Sequence, residues 1–234
     1  LHVLRAEIDL PDEPNVYADA VYAKSVENFQ KLQDDGVLVR ESAPSIYLYR
    51  QTMGDHSQIG IAATCHIDDY GEDIIRKHEK TRQAKEDDRT RVVNDLNANP
   101  GPVFLTYREN DEVDALVENI TTSETPVYDF VAPDGVGHTV WKVEGGDEFL
   151  RLFGEIPLGY VADGHHRSAS AYRVGTERRS ANPNHDGSEN YNWFLAVLFP
   201  ANQLKILAYN RAVNSLNGHS PEQLIAKIAE AGFE

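Results

Sequence analysis

The sequence has little of what builds disulfides, zinc clusters or membrane spans. Its 234 residues include one cysteine, Cys65, so an internal disulfide and a thiolate zinc cluster are excluded. No apolar run approaches the roughly 18 residues that a membrane helix requires, and the first residues lack the hydrophobic stretch of a signal peptide. We therefore expect a cytoplasmic protein without membrane association, in which Cys65 is a buried small hydrophobic residue.

Positive charge is also scarce. The chain has 22 Lys and Arg against 38 Asp and Glu, which gives a formal net charge of -16. A surface this acidic repels nucleic acid and anionic lipid at long range, so we expect no nucleic-acid partner. A small anion can still bind, because a pocket sets its own local field.

Several common catalytic motifs are missing. The sequence contains no Walker A loop, no Gly-x-Gly-x-x-Gly and no Gly-x-Ser-x-Gly, which argues against P-loop ATPases, the usual dinucleotide enzymes and α/β-hydrolases. The pair His78-Glu79 does not form a zinc-protease motif, because position 82 is Arg and not the second His.

What is present is an ordinary globular composition, with 41% hydrophobic and 26% charged residues. Helical and strand patterns are mixed without strict alternation, which predicts an α+β fold with a mixed sheet and surrounding helices. We expect one domain over residues 1–234, with a possible sub-boundary near residues 100–125. Because the chain starts on Leu and stops inside a helical pattern, we also expect a fragment of a longer protein.

Residues 45–51 and 57–67 are predicted to form a hairpin around the turn Met53-Gly54-Asp55. Ser220, followed by Pro221 and Glu222, is predicted to cap a last helix.

The predicted elements that bear on function lie in the middle and later parts of the chain. Residues 71–97 have the pattern of one long polar helix that ends before Asn99-Pro100-Gly101-Pro102. Residues 158–162 have the pattern of a buried strand, followed by a turn and by a helix that begins at Ser168. Residues 193–199 and 204–209 are predicted to form two apolar strands.

The most informative segment follows the strand at residues 158–162 and reads Asp163-Gly164-His165-His166-Arg167. Where a strand turns into a helix, unpaired backbone N–H groups face outward and favour an anion. Gly164 allows the backbone to approach a ligand closely, and Arg167 can bind a phosphate through two parallel hydrogen bonds. Either histidine can contact a phosphate oxygen or carry a proton. Asp163 can fix a histidine tautomer, cap the helix or bind a metal that accompanies a nucleotide.

The simpler alternative for this segment is an Asp-Gly turn that leads into a helix with two exposed histidines. Two adjacent histidines and an arginine directly after an apolar strand fit that alternative poorly. A metal site made by His165 and His166 is also a poor fit, because adjacent side chains point in different directions and the sequence places no third ligand.

A second cluster reads Lys77-His78-Glu79-Lys80-Thr81-Arg82. Such charge runs are often only solvated helix faces. In a chain this acidic, however, the cluster is a local positive island, so Lys80 and Arg82 are candidate phosphate contacts. Glu79, beside His78, is a candidate general base for a hydroxyl nucleophile. Arg211, which follows the predicted strand at residues 204–209, is a further candidate anion contact.

These motifs resemble a bacterial and archaeal family known as domain of unknown function number 1015. The resemblance covers nearly the whole chain, and the longer members of that family agree with the expectation of a fragment. It rests on Tyr47-Leu48-Tyr49-Arg50, Gly60-Ile61-Ala62, Lys77-His78-Glu79-Lys80-Thr81-Arg82, Asn97-Ala98-Asn99, Pro102-Val103-Phe104-Leu105-Thr106-Tyr107-Arg108, Val161-Ala162-Asp163-Gly164-His165-His166-Arg167 and Asn210-Arg211.

The 163–167 element is also similar to that of free L-serine kinases of the ParB/sulfiredoxin-like group. This second resemblance covers only the short element. It implies a strand-turn-helix site in which the turn and the helix start, up to Ser168, bind the phosphates of ATP or ADP with Mg²⁺. In those kinases a glutamate activates the serine hydroxyl, and Glu79 is the candidate here, although the motif match does not assign it.

The sequence therefore predicts a small-molecule phosphotransferase, most simply a kinase of free serine or a similar hydroxyl compound. In this hypothesis Glu79 and His78 are catalytic, together with His165, His166 and Arg167. Two alternatives stay open: a nucleotide-binding or nucleotide-hydrolysing ParB-like module, and a family member without catalysis.

Overall fold

The structure is a computed structural model that describes residues 1–210 and 212–233. Within these residues the chain forms seven α-helices and eight β-strands. The helices are α1 (Asp19–Asp34), α2 (Ile67–Gly71), α3 (Gln83–Leu96), α4 (Asp111–Ser123), α5 (Asp147–Phe153), α6 (His165–Ala181) and α7 (Pro221–Glu230). The strands are β1 (Ser45–Met53), β2 (His56–His66), β3 (Ile75–Arg76), β4 (Val103–Tyr107), β5 (Tyr128–Val131), β6 (Gly137–Glu144), β7 (Gly159–Asp163) and β8 (Trp193–Pro200). None of the helices in this part of the chain is long and apolar enough to cross a bilayer.

The chain divides into two compact units, Leu1–Leu204 and Lys205–Glu234. The first unit contains β1 to β8 and α1 to α6, and the second contains α7. As predicted, Ser220 caps α7: its hydroxyl accepts the Gln223 N–H, and the Gln223 side chain accepts the Ser220 N–H. The predictions about domain number and the sub-boundary stay predictions.

The strands form one mixed sheet in the order β3-β7-β4-β8-β2-β1-β6-β5. The pairs β3–β7 and β4–β8 are parallel, and the other neighbours are antiparallel. The predicted hairpin of β1 and β2 is present, and its turn uses Gly54 with a φ of 58°. The α+β prediction with a mixed sheet is confirmed.

One face of the sheet carries the hydrophobic core. Directly opposed residues of an antiparallel or parallel pair share a face, and an apolar row crosses six strands in this way. The row runs through Trp141, Leu48, Ile61, Leu198, Leu105 and Val161. At one end of it α4 and α5 pack through residues such as Val113 and Phe149. At the other end α2 and α6 pack through residues such as Ile67 and Ala171.

The predicted helix over residues 71–97 is wrong in its first half. Ile75 is only 5% exposed and pairs in parallel with Gly159 of β7, so this short apolar segment is held in the sheet as β3. Helix α3 begins only at Gln83. Its end agrees with the sequence pattern, because Asn97 terminates it in the left-handed conformation with a φ of 50°.

The predicted strand at residues 204–209 is also wrong, because these residues form no regular element. Their apolar side chains are not buried in a sheet: Ile206 is 99% exposed and Leu207 is 57% exposed. An apolar run without a partner strand has nothing against which to bury its alternating side chains.

Helix α6 is fixed along its length by polar and close contacts. The Ser170 hydroxyl donates to the Glu86 carbonyl at 3.2 Å, and Arg173 Nη1 lies 2.6 Å from Asp87 Oδ1, so α6 is bound to α3. On another side a Cβ at Gly175 would collide with the Tyr191 carbonyl oxygen and lie 2.5 Å from Ile67 Cδ1. Only glycine permits this approach.

Gly175→Ala tests that approach. Alanine normally stabilises a helix interior relative to glycine. Here the added Cβ would meet a backbone carbonyl, which a side-chain rotation cannot relieve, so we expect a loss of about 1–3 kcal/mol in the free energy of unfolding. Denaturant unfolding measures it. Thr176→Ala, at the exposed neighbouring position, is the control and should stay within about 0.5 kcal/mol of the parent chain. A Gly175→Ala chain as stable as its parent would show that α6 is not closely packed here.

Candidate functional site

The turn between β7 and α6 is made by Gly164, which has φ 98° and ψ 29° and is the N-cap of α6. A side chain at this position would be strained by the left-handed φ. Its Cβ would also lie 2.9 Å from both Nε and Nη2 of Arg167. The helix therefore begins at His165 and not at Ser168 as predicted. His165, His166 and Arg167 thus form its first turn.

The N-terminus of α6 is not capped by a side chain. Its first helical hydrogen bond runs from the Ser168 N–H to the Gly164 carbonyl at 3.0 Å. The preceding N–H groups have no intrahelical acceptor and carry the positive end of the helix dipole. The first turn also contains no acidic residue. This end of a 17-residue helix is therefore suited to an anion.

The parallel pairing of β3 with β7 brings the second predicted cluster to the same place. Because parallel strands run in the same direction, the chain after Arg76, which lies opposite Tyr160, continues towards the end of β7 where α6 begins. The His78 ring meets the His165 ring edge-to-face, with 4.5 Å between centroids. Glu79 Oε2 lies 3.7 Å from His165 Nδ1. Two clusters separated by more than 80 positions in the sequence thus form one site.

His165 is the buried centre of this site, with 5% of its surface exposed. Burial, and secondly the nearby His78, lower its pKa from the usual value, against a smaller opposing effect of Glu79. His165 is therefore neutral at pH 7. Its Nε2 is buried and has no hydrogen-bond partner among residues 1–210 and 212–233. A buried polar atom of this kind is costly unless a bound group satisfies it.

His166 holds the loop after β3 against α6. Its Nε2 accepts the backbone N–H of Arg82 at 3.1 Å, so that nitrogen carries no proton in this arrangement. The Arg82 side chain itself is exposed. His166 is therefore placed to position the loop that carries Glu79 and Lys80.

Arg167 lies at the surface of the site. Its Nη2 donates to Asp163 Oδ2 at 2.6 Å, and the side chain of Asp163 is 74% exposed. Nη1 lies on the side of Gly101, where an added Cβ would be 3.5 Å away. The predicted turn before β4 therefore borders the site through its glycine. The guanidinium keeps donors that a bound oxyanion can use.

One of the predicted phosphate contacts, Ser168, is not free to bind a ligand. It is fully buried, and its hydroxyl donates to the carbonyls of Gly164 at 3.3 Å and His165 at 3.2 Å. Another predicted contact, Arg211, lies outside the described residues.

The site also contains residues that the motifs did not single out. An open cleft beside the loop is lined by Tyr70, Lys77, His78, Glu79, Lys80 and Thr81. Lys77 Nζ donates to the Tyr70 carbonyl at 2.7 Å and lies 4.2 Å from the centre of its ring. Tyr70 belongs to the five-residue helix α2, which is too short for periodicity to reveal. Lys77 was visible only as a member of the charge cluster.

The fold and the site define an α+β protein with an uncapped strand-to-helix turn in a mixed sheet. A family model described as "Protein of unknown function (DUF1015)" matches residues 1–234. The chain therefore belongs to this family, and the family resemblance seen in the sequence is confirmed. No curated protein and no solved structure matches the chain.

The burial of His165 predicts a pH dependence of stability. Because its pKa is lowered in the folded state, the unfolded chain binds more protons below the unfolded pKa of about 6.5. The contribution of His165 to the free energy of unfolding is therefore fully present above about pH 6.5. It is lost as the pH falls towards the lowered pKa of the folded state. We expect His165→Asn to flatten the decline in unfolding free energy between about pH 7.5 and pH 5, measured by urea unfolding.

Ser168→Ala is the control for this measurement, because Ser168 is buried beside His165 but does not titrate. It should lower stability at every pH and leave the slope unchanged. An identical slope in the His165→Asn chain and its parent would contradict a lowered pKa for His165.

Proposed function

We propose that this site transfers a phosphoryl group from ATP or ADP to the hydroxyl of free serine or of a similar small compound. One observation carries the proposal: an uncapped helix N-terminus with His-His-Arg in its first turn lies beside a carboxylate from the loop that follows the neighbouring parallel strand. Phosphoryl transfer needs charge neutralisation and positioning above all, and these are the properties that this arrangement supplies.

On the donor side, the N–H groups of the first turn of α6 would bind phosphate oxygens. Arg167 would add a bidentate contact, since only one of its terminal nitrogens is hydrogen-bonded to Asp163. Gly164 allows the phosphates to approach the backbone, because it has no side chain at the helix start. Lys80, which lines the cleft, and Arg82, which is exposed at its border, would contribute positive charge.

A magnesium ion bound with the nucleotide would neutralise part of the phosphate charge. Asp163 fits such an ion, because its carboxylate is a hard oxygen ligand, is 74% exposed and has one oxygen bonded to Arg167. In the part of the chain that the structure describes, no three His, Cys, Asp or Glu side chains are grouped to hold a metal. Asp163 would thus share the ion with the phosphates and water, as is usual for nucleotide magnesium.

On the acceptor side, Glu79 would take the proton of the hydroxyl that attacks the phosphorus. Its side chain is 63% exposed and lies in the wall of the cleft, so a small acceptor can reach it. Neutral His165, 3.7 Å away, would orient the carboxylate through Nδ1, and His78 packs against that ring. His166 would keep the loop in place through its bond with Arg82.

The test is formation of phosphoserine from L-serine with ATP or ADP and Mg²⁺, followed by mass spectrometry. We expect Arg167→Ala to reduce turnover by about a thousandfold, the lower range for a phosphate-stabilising arginine. Glu79→Gln should reduce it by about a hundredfold or more, as loss of a general base does. Arg173→Ala, on the same helix, and Glu72→Gln, an exposed glutamate at the end of α2, are the matched controls and should retain activity.

Each other outcome has a definite meaning. Nucleotide hydrolysis without transfer to serine or other small hydroxyl compounds would replace the kinase with a nucleotide-hydrolysing module. If nucleotides with Mg²⁺ bind without turnover, the module is a binding one. If they leave the melting temperature unchanged, the chain has no nucleotide site and the proposal fails.

A further inference from the structure

A second cavity lies on the helix-covered face of the sheet, between the two helix pairs. Its volume is about 250 Å³. The central strands supply its floor through Ile61, Ala63 and Leu198, and α5 forms one wall with Phe149 and Phe153. Ile61 belongs to the core cluster that packs α4 and α5, whereas Leu198 borders both clusters. The cavity, here named the central groove, is thus the gap where the two cores meet.

Asp69 of α2 is the only acidic side chain among the described residues that line the central groove. Its carboxylate makes no hydrogen bond or ion pair with any part of the chain that the structure describes. The adjacent Asp68 differs, because Arg179 of α6 donates to its two oxygens at 3.0 and 3.2 Å. The two carboxylates of α2 therefore have different surroundings: Asp68 meets α6, and Asp69 meets the groove.

The surroundings of Asp69 are poor for a charge. Burial raises the pKa of its carboxyl group, and Asp68 and Glu72 raise it further, with a partial opposing effect of His66. His66 itself is engaged elsewhere: its Nδ1 accepts the Asp68 N–H at 3.2 Å, and its ring lies edge-on against Trp193. Cys65, also in the wall, has a thiol whose pKa burial raises to about 12, so it supplies no charge. Asp69 is therefore a half-buried carboxylate without a counter-ion.

We propose that the central groove binds a small molecule with an apolar body and a protonated amine, which pairs with Asp69. Small-molecule sites combine predominantly apolar walls with a few polar groups that fix orientation, and the lining of the groove has this composition. An ammonium group supplies the positive charge and the N–H donors that the carboxylate lacks. An anionic ligand would face an unpaired negative charge, and a neutral one would leave that charge unsatisfied.

This site is separate from the proposed phosphoryl-transfer site. Gly159, at the start of β7, lines the groove, and Asp163 ends the same strand. At about 3.3 Å per residue, Gly159 and Asp163 are roughly 13 Å apart, whereas on α2 the adjacent residues Asp69 and Tyr70 line the groove and the cleft respectively. The inference does not rest on the proposed kinase activity, and either can fail without the other.

Isothermal titration of the whole chain with phenethylamine, and with phenethyl alcohol as its neutral counterpart, tests the proposal. We expect the amine to bind about tenfold more tightly than the alcohol. Asp69→Asn should remove this preference and leave the alcohol unaffected. Glu72→Gln removes the same charge from a position that acts on Asp69 only at a distance and does not line the groove, so the preference for the amine should persist. Ala63→Phe fills the floor and should abolish binding of both.

The proposal is overturned if the amine and the alcohol bind equally, if Asp69→Asn retains the preference, or if neither compound binds at millimolar concentration. It is also overturned if sedimentation shows that a second copy of the chain occupies the groove, as a dimer that Ala63→Phe dissociates. Should Ala63→Phe fail to fold, as its thermal melt would reveal, the comparison of Asp69→Asn with Glu72→Gln decides the question alone.

Discussion

The left-handed turn at Gly164 determines the position of each candidate phosphate ligand on α6. With a φ of 98° the chain passes from β7 into the helix within one residue, so His165 enters the core and Arg167 lies at the surface. With a longer connection between β7 and α6, the same residues would not be divided in this way between the core and the surface. The turn also leaves the helix start without a side-chain cap, and the unpaired N–H groups remain available for an anion.

A second constraint is the parallel pairing of β3 with β7. Although β3 has only two residues, it directs the following loop past the start of α6 and so brings Glu79 to His165. The contact from the Arg82 N–H to His166 then fixes the far end of this loop to the helix. One short strand thereby joins a carboxylate and a buried histidine that are distant in sequence.

Local patterns predicted the α+β class, the β1–β2 hairpin and the N-cap of α7. They failed where tertiary pairing decides the structure: β3 lies inside a polar, helix-like sequence, and the apolar residues 204–209 have no partner strand. The start of α6 was predicted at Ser168 and not at His165, because the residue types around Gly164 do not reveal its left-handed conformation. The proximity of Glu79 to His165 and the central groove both depend on the order of strands in the sheet, which no local pattern contains.

An anion site in a chain with a net charge of -16 requires positive groups that are not already neutralised. Elsewhere many cations are paired. Arg151, for example, forms ion pairs with Glu112 of α4, Glu148 of α5 and Glu155, which follows α5. Within the described residues, the side chains of Lys80 and Arg82 form no ion pair. The electrostatic potential of a cation is largely cancelled at a distance by its counter-ion, whereas an unpaired cation at the cleft attracts a phosphate. The same reasoning with the opposite sign applies to Asp69, so at both proposed sites the unpaired charge, and not the total charge, would select the ligand.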